Sequence, residues 1–287
     1  MKFSVLAGVI LALIGIAPAA ADTVPMDPDA FTQYVLGDFK AKLPDYDVSI
    51  AGPLSIKIVP KGGGALQANL DRMHDFCARN ADACADMLKD YVAKASESVK
   101  SMNAPPDPTR LRVVVRPVAY ANELRQQIVA HGQDVVLEPL SDELVALCYF
   151  DFPTAMRVAT AADFAKLGMS KDQVFAQARQ NVAAALGSLD GLIKPLPENG
   201  IGQLAGNVYY SSLLALHDAW SGVAKRSGGR LIVAVPAADL LLYAERSDAG
   251  SIDALRTAAQ EFAKRSDRPI STSVYRWTAE GWERVAP

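Results

Sequence analysis

Histidine and cysteine are scarce in this sequence, and no catalytic or metal-binding motif is built from them. Three histidines and three cysteines occur in 287 residues, with no His-Glu-x-x-His, Cys-x-x-Cys or Gly-x-Ser-x-Gly pattern. Because zinc sites and common hydrolases use such spacings, we expect no metal and no cofactor. His217 shares a helical face with Leu213 and Trp220. It is a weak catalytic candidate, and the alternative is a core histidine with one hydrogen bond.

The sequence also has no excess of either charge. Lysine and arginine number 29 against 32 aspartates and glutamates, which gives a formal net charge of −3. Nucleic-acid-binding proteins usually carry a clustered basic excess, so we expect no nucleic acid among the partners. Half of the residues are hydrophobic, which is an ordinary globular composition for a chain long enough to bury a sizeable core.

Only the N-terminal segment contains a long uncharged apolar run. Lys2 precedes the apolar residues 3–16, and the small-residue site Ala19-Ala20-Ala21 follows them. This order is typical of a secretory signal peptide, and 14 residues are fewer than the roughly 20 that span a bilayer. We predict cleavage after Ala21, leaving a soluble periplasmic or secreted protein without a stable membrane span. An uncleaved anchor is the alternative.

Export would place the three cysteines in an oxidising compartment. We predict a disulfide between Cys77 and Cys84, whereas Cys148 lies in a predicted strand and is expected to be inert. One continuous helix would hold the paired Cα atoms about 10 Å apart, too far for the bridge. The helix should therefore break between them, with Asn80 in a left-handed conformation and Asp82 capping the next helix.

Short apolar runs interrupted by proline give the fold class. Residues 144–150 and 231–235 are almost wholly apolar, which predicts interior strands. Three blocks share the order helix, strand, proline corner, strand, helix, with corners at Pro53, Pro153 and Pro236. We predict an α+β fold of three helix–strand–strand–helix blocks around antiparallel or mixed sheet. A threefold pseudo-repeat is one interpretation, and coincidence within an ordinary α+β chain is the other.

The chain is predicted to have two parts and to end in a hairpin. The proline-rich residues 103–108 form the clearest connector, because proline is excluded from helix and sheet interiors. An N-terminal α+β block is therefore assigned to residues 22–104 and a core region to residues 105–287. Residues 274–278 and 282–285 flank Glu280-Gly281, which predicts a β-hairpin.

Helix signals occur at several places along the chain. Thr160-x-x-Asp163 and Ser170-x-x-Gln173 resemble capping boxes. Residues 211–225 have the periodicity of an amphipathic helix. Ser251 is predicted to cap a further helix that buries Phe262.

Two glycine-containing segments are predicted as turns or loops. Residues 195–206 are rich in proline, glycine and asparagine and are expected to form a loop. The glycines of residues 61–64 precede a predicted helix that starts near Leu66. A flexible turn is one interpretation, and backbone anion binding at the helix start is the other.

A set of segments follows one order along the chain: residues 111–118 (LRVVVRPV), 143–158, 170–186, 207–220 and 229–244. Together they resemble the YtpQ-like family, a bacterial family of unknown function. Its members tend to look cytoplasmic, so the predicted signal peptide is a departure from the family pattern. The resemblance implies a fold and no chemistry. By resemblance, the positions of interest are Arg116, Asp151, Arg157, Asn181, Ser212, Pro236 and Asp239, of which Arg116, Arg157, Asn181 and Ser212 are binding candidates.

Asp151 and Asp239 each lie at the end of a predicted strand close to a proline. Brought together, two carboxylates can share a proton or bind a cation. The alternative is that each accepts backbone N–H bonds in a turn. Arg116, Arg157 and Arg276 are candidate partners for them.

Two functions are consistent with these features. The first is an exported, non-catalytic binding or assembly protein of the bacterial cell envelope, with an unknown envelope protein or small ligand as partner. The second is an exported hydrolase that uses Asp151 and Asp239. Convergence of both carboxylates in one cleft would favour the hydrolase, whereas exposed apolar surface without convergent polar groups would favour the binding protein.

Overall fold

The chain folds into two compact α+β units, which divide between Val99 and Lys100. The structure is a computed structural model that describes residues 24–61, 66–129, 133–197 and 200–286. The predicted signal peptide at residues 1–21 lies outside the described residues. Every sheet is antiparallel, so the predicted α+β class is confirmed.

The first unit packs a three-stranded antiparallel sheet against helices. Asp27 caps the first helix, because its carboxylate accepts the N–H groups of Asp29 and Ala30. The core contains apolar residues from the first helix, the sheet and the paired helices that follow. The elements are α1 (Pro28–Lys42), β1 (Tyr46–Gly52), β2 (Ser55–Pro60), β3 (Leu66–Asn69), α2 (Asp71–Arg79) and α3 (Ala81–Asn103).

Strand β3 replaces the start of the predicted helix near Leu66. Leu66 pairs with Ile58 and Ala68 pairs with Ile56, so alternate residues of β3 pack against the core of the unit. The helical prediction was wrong because alternation governs this short segment. The glycines at 62–64 lie outside the described residues. The described chain resumes at Leu66 with strand β3, so the helix start that the anion-binding interpretation placed near Leu66 is not there.

The predicted disulfide joins Cys77 to Cys84, with the Cα atoms 4.7 Å apart. The expected helix break lies between α2 and α3 and is confirmed. Two local details differ from the prediction. Asn80 has a φ of −140° and its side chain donates to the Phe76 carbonyl, so no left-handed residue ends α2. Asp82 lies in the first turn of α3, because that helix already begins at Ala81.

The first sheet of the second unit is organised around one buried strand. All residues of that strand except the terminal Asp151 are buried, which confirms the predicted interior strand at 144–150. The two predicted capping boxes are confirmed at Thr160 and Ser170. The elements are β4 (Leu111–Pro117), α4 (Val118–Val129), β5 (Leu137–Pro139), β6 (Leu144–Asp151), β7 (Met156–Val158), α5 (Ala161–Leu167), α6 (Lys171–Leu186) and α7 (Leu189–Leu192).

The second sheet of this unit has five strands and ends in the predicted C-terminal hairpin. Its strand order is β12-β11-β9-β10-β8. The two central strands are buried on both faces. The elements are β8 (Gly202–Ala205), α8 (Ser221–Arg226), β9 (Ile232–Ala237), β10 (Leu240–Ala244), α9 (Ala249–Arg265), β11 (Tyr275–Thr278) and β12 (Gly281–Arg284).

A β-bulge interrupts the pairing of β9 with β10 at the proline corner. Ala237 pairs with Leu240 and Ala234 pairs with Leu242, so Val235 and Pro236 together oppose one residue. The carbonyls of Val235 and Pro236 accept N–H groups from the segment that follows α9. Pro236 therefore marks a bulge, which is one of the places where a sheet tolerates proline.

The main core of the second unit lies between its two sheets. Val113 and Phe150 of the first sheet belong to the same buried cluster as Val233 and Tyr275 of the second, and α6 contributes Phe175. Helix α4 packs on the other face of the first sheet, and α9 packs on the other face of the second. The order of layers is therefore α4, the first sheet, a shared core that includes α6, the second sheet and α9.

The three predicted blocks share an order of elements and differ in arrangement. Each contains a strand–turn–strand unit that is followed by a helix, after β3 in the first block. However, β1 and β7 lie at sheet edges, whereas β9 and β10 both have neighbours on each side. The order of elements therefore recurs in the three blocks, whereas the position of the hairpin within its sheet differs between them.

Residues 211–225 do not form the single helix that their periodicity predicts. They form two 3₁₀ segments, Ser211–Ala215 and His217–Trp220, followed by α8. The Trp220 and Trp282 indoles donate to the carbonyls of Leu213 and Leu214, each at 2.8 Å. In an α-helix these backbone carbonyls would instead accept N–H groups from residues further along the same helix.

The predicted loop at 195–206 contains strand β8. Gly202 lies so close to the Tyr243 ring on β10 that an added Cβ would be 2.1 Å from a ring carbon. Glycine is therefore required at 202 for this close cross-strand approach.

The N-cap of α9 differs from the predicted Ser251. Asp248 accepts the N–H of Ser251 and so occupies the capping position itself.

Candidate functional site

Asp151 belongs to a polar network at the end of β6. Its carboxylate accepts the Tyr209 hydroxyl at 2.6 Å and lies 3.9 Å from the guanidinium of Arg112. Burial and the hydrogen bond to Asp151 both raise the pKa of the Tyr209 hydroxyl. Asp151 therefore makes a tertiary contact, and the expected turn-capping bonds are not found among the described residues.

Asp239 is exposed at the corner between β9 and β10. Its backbone carbonyl accepts the Gly206 N–H at 3.1 Å, and its carboxylate makes no hydrogen bond or ion pair with a described residue. Asp239 lines a cleft, and Asp151 is not among the residues that line it. The structure therefore does not bring the two carboxylates together there.

The predicted arginine partners pair elsewhere. Arg157, which is partly buried, forms an ion pair with the buried Asp163 at 2.8 Å and stacks over the Phe150 ring. Arg116 donates to the Val115 carbonyl at 2.8 Å. In the part of the chain that the structure describes, neither of these arginines pairs with a predicted catalytic aspartate, and Arg276 does not either.

Asn181 is hydrogen-bonded to the backbone of the same unit, and Ser212 is buried. The Asn181 amide donates to the carbonyls of Pro108 and Leu111, at 2.8 and 2.9 Å, and so holds α6 against the start of β4. Ser212 is fully buried, and its hydroxyl has no hydrogen-bond partner among the described residues. Asn181 is therefore placed to stabilise the fold.

His217 packs among aromatic side chains. Its ring stacks on Trp277 with the centroids 5.3 Å apart, and Nε2 lies 2.9 Å from the Thr278 carbonyl. His217 lines a cavity of about 520 Å³, and so do Glu138 and Arg179, which form an ion pair. His217 is half-buried and its Nδ1 also lies 3.5 Å from the Asp218 carboxylate, so it is not a core histidine with a single hydrogen bond.

The remaining free cysteine, Cys148, is buried inside β6. Burial is the main cause that raises the pKa of its thiol. A thiol that stays protonated in the core is a poor nucleophile. This environment matches the expectation that Cys148 is inert.

Glu143 is the centre of a polar cluster that sequence patterns did not reveal. Its carboxylate accepts hydrogen bonds from Ser271, at 2.8 Å, and from Tyr275, and it lies 3.6 Å from Arg284. Burial alone would raise the pKa of Glu143, but hydrogen bonds from Ser273, Tyr275 and Ser271 outweigh it and lower the pKa. The cluster links residues more than 120 positions apart, so no local motif could have indicated it.

The cleft beside Asp239 lies where α9 leaves part of its sheet uncovered. Helix α9 packs on β9 and β10, whereas β8 lies beyond it at the edge of the sheet. The resulting cleft has a volume of about 580 Å³. Its lining residues are Gln203, Ala205, Val208, Ala237, Ala238, Asp239, Leu240, Phe262, Arg265, Ser266, Asp267 and Arg268.

Two large apolar side chains are exposed in this cleft. Phe262 is 39% exposed and Val208 is 48% exposed. Sequence periodicity predicted that Phe262 is buried with Leu255 and Ala259. That prediction was wrong, because the last turn of α9 faces the cleft at β8, where no described element covers it. Exposed apolar groups in a concave surface are typical of binding sites.

The charged side chains of the cleft balance one another. Asp239 and Asp267 are matched by Arg265 and Arg268. Only Arg265 has an ion pair with another described residue, Glu261 at 3.7 Å. The formal charges of the four side chains that line the cleft therefore sum to zero.

Comparison of the chain with known protein families, curated proteins and solved structures gives no match. Membership of the YtpQ-like family thus stays a prediction. Among the described residues, no group of three or more histidine, cysteine, aspartate or glutamate side chains is arranged to hold a metal ion. No described helix has the length and apolar character to cross a bilayer.

We expect the two predicted aspartates to respond differently to substitution. Asp151→Ala leaves the mostly buried Tyr209 hydroxyl without its acceptor, so the free energy of unfolding should fall by about 1–3 kcal/mol. Asp239→Ala removes an exposed carboxylate without a described partner, so the free energy of unfolding should change by less than about 0.5 kcal/mol. Urea denaturation measures both. Equal losses in the two variants would contradict the assignment of Asp151 to a structural network.

Proposed function

We propose that the protein is an exported, non-catalytic binding or assembly factor of the bacterial cell envelope. Its binding site is the cleft between α9 and β8, hereafter the α9–β8 groove. The observation that carries this proposal is the exposure of Phe262 and Val208 in that groove. Apolar side chains at the centre of a polar-rimmed surface supply binding energy when a partner removes them from water.

Two features support export. The Cys77–Cys84 disulfide is stable in an oxidising compartment and uncommon in the reducing cytosol. The N-terminal sequence has the order of charge, apolar run and small residues that directs secretion. Together they favour a location in the envelope.

The hydrolase alternative required Asp151 and Asp239 to share a cleft. Asp151 is instead bonded to Tyr209 and paired with Arg112, and it does not line the groove that contains Asp239. No observation therefore favours the hydrolase, and we do not propose it.

Site-specific photo-crosslinking in cells tests the proposal. A photoreactive phenylalanine analogue replaces Phe262 in one strain and Met87 of α3 in another. Met87 is a matched control because it is 38% exposed and lies outside the groove. We expect discrete crosslinked products from position 262 in the periplasmic fraction and none of the same mass from position 87.

Two results would contradict the proposal. Identical products from both positions, or none from position 262, would mean that the groove is not a binding site. Recovery of the full-length, uncleaved protein in the cytoplasmic fraction would refute the envelope location.

A further inference from the structure

We propose that the α9–β8 groove binds an extended polypeptide segment, which pairs with β8 as an additional strand of the sheet. The inference rests on the proposed binding function and names the class of partner. The segment is uncharged and alternates apolar with polar residues. Such strand addition is a recurrent mode of peptide recognition, in which main-chain hydrogen bonds give affinity and side-chain pockets give specificity.

The outer edge of β8 has no neighbour within the described chain. Strand β8 is last in its sheet and pairs only with β10, through Gly202 with Tyr243 to Ala205 with Leu240. No other backbone bond to these four residues is found among the described residues. An edge strand of this kind presents N–H and C=O groups to an incoming chain.

The pairing register shows which groups face outward. The Gly206 N–H donates to the Asp239 carbonyl, which places this pair at a hydrogen-bonded position of the β8–β10 ladder. Because such positions alternate, the backbone N–H and C=O groups of Gln203 and Ala205 point away from β10. These groups recur every second residue, about 7 Å apart, which is the repeat of another β-strand.

The same two residues also line the groove. The side chains of Gln203 and Ala205 are on the face of the sheet that α9 partly covers. A strand added beside β8 would therefore direct alternate side chains towards Phe262 and Val208. One segment could then satisfy the free backbone groups and cover the exposed apolar side chains at the same time.

The two edges of this sheet differ in protection. At one edge, β12 carries Glu283 and Arg284. At the other, β8 has neither charge nor proline, and exposed Ile201 and Val208 flank it. Charges and prolines are the usual means by which proteins prevent strand addition, so their absence at β8 is consistent with an edge that accepts a partner.

The balanced charge of the groove defines the segment further. Asp239 and Asp267 offset Arg265 and Arg268, so neither an acidic nor a basic segment gains a net electrostatic advantage. The lining of the groove near the turn between β9 and β10 includes small residues, namely Ala205, Ala237 and Ala238. Apolar side chains of the segment can therefore enter between Phe262 and the sheet.

Binding of synthetic peptides to residues 22–287 tests the inference. The probes are fluorescein-labelled peptides about six residues long, a common strand length, that alternate valine, leucine or phenylalanine with serine or threonine. Fluorescence anisotropy compares the wild type with Gln203→Pro and Gln203→Ala. Proline removes the outward N–H without touching the bonds to β10, whereas alanine removes only the side chain.

We expect Gln203→Pro to weaken binding at least about tenfold, which is the order expected for loss of a main-chain hydrogen bond. Gln203→Ala keeps the outward N–H and loses only the side chain, so it should bind more tightly than Gln203→Pro. Circular dichroism checks that both variants are folded. If Gln203→Pro does not fold, N-methylation of the probes at alternate amides gives the same comparison, because only one of the two methylated sets should lose binding.

The outcomes separate this inference from the proposed function. No binding by any probe, or equal affinities for the proline and alanine variants, would refute strand addition. If crosslinks from position 262 persist in that case, the groove still binds a partner through side chains alone. Dimerisation of the wild type in sedimentation, abolished by Gln203→Pro, would show that a second copy of the chain occupies the edge and would also refute the inference.

Discussion

Replacing Val233 with aspartate is expected to unfold the second unit. Val233 is fully buried in β9, opposite Tyr243 on β10 and Tyr275 on β11. Its neighbours in the core cluster are apolar, so a carboxylate there would have no cationic partner. Burying an unpaired charge costs at least several kcal/mol, which is comparable to the roughly 5–15 kcal/mol that stabilises a typical domain.

The matched control is Val129→Asp, because Val129 belongs to the same unit and is 53% exposed at the end of α4. Thermal unfolding followed by circular dichroism should show no folded second unit for Val233→Asp and a nearly unchanged transition for Val129→Asp. A wild-type melting temperature for Val233→Asp would mean that β9 is not an interior strand.

Asp163→Ala is expected to cause the second-largest loss of stability. The buried Asp163 carboxylate accepts bonds from the Thr160 backbone and hydroxyl and pairs with the largely buried guanidinium of Arg157, which is 14% exposed. Removing one member of a buried ion pair leaves the other charge uncompensated, which typically costs 3–5 kcal/mol. The variant also loses the capping box of α5.

A double variant separates these contributions. Arg157→Met removes the charge that Asp163→Ala leaves unpaired, so the double variant should be more stable than Asp163→Ala alone. Asp90→Ala, which breaks an exposed pair with Lys94, is the control and should cost less than about 1 kcal/mol. Urea denaturation measures all four proteins. If Asp163→Ala matches the control, Arg157 is not held by a structural pair and becomes a binding candidate again.

Local sequence signals predicted the elements whose conformation is decided within a few residues. The capping boxes at Thr160 and Ser170 satisfy their own helix ends. The disulfide needed only a break at Asn80. Uninterrupted apolar runs placed β6 and β9 in the interior, because such residues gain stability only when both faces are covered.

The elements that were missed depend on contacts from distant parts of the chain. Strand β8 has no apolar alternation of its own and forms by pairing with β10, where Tyr243 fills the space beside Gly202. Residues 211–215 have helical periodicity, but the Trp282 indole and the Arg179 guanidinium bind their carbonyls. Neither effect has a signature within the segment itself.

The candidate site was predicted in part. Resemblance singled out Asp239, which lines the groove, whereas periodicity assigned Phe262 to the core. Whether a residue on the apolar stripe of a helix is buried depends on how far the sheet beneath it is covered, and that is a property of packing. Asp151 was selected by its position at a strand end, and Tyr209 and Arg112, which contact it, had no recognisable relation to it in the sequence.

The bulge at Pro236 has a consequence for how β9 and β10 find their alignment. In a strand with one polar face, a one-residue shift of the pairing register exposes apolar side chains to water, so the shifted register is unstable. Here Ile232 and Ala234 face α9 while Val233 and Val235 face the shared core, so hydrophobicity is nearly degenerate between the two alignments. Pro236 has no N–H to donate and is accommodated only where two residues oppose one. Because Pro236 lacks an N–H, its position fixes the register of β9. The register in turn fixes which apolar face of β9 packs on α9 and which packs on the shared core.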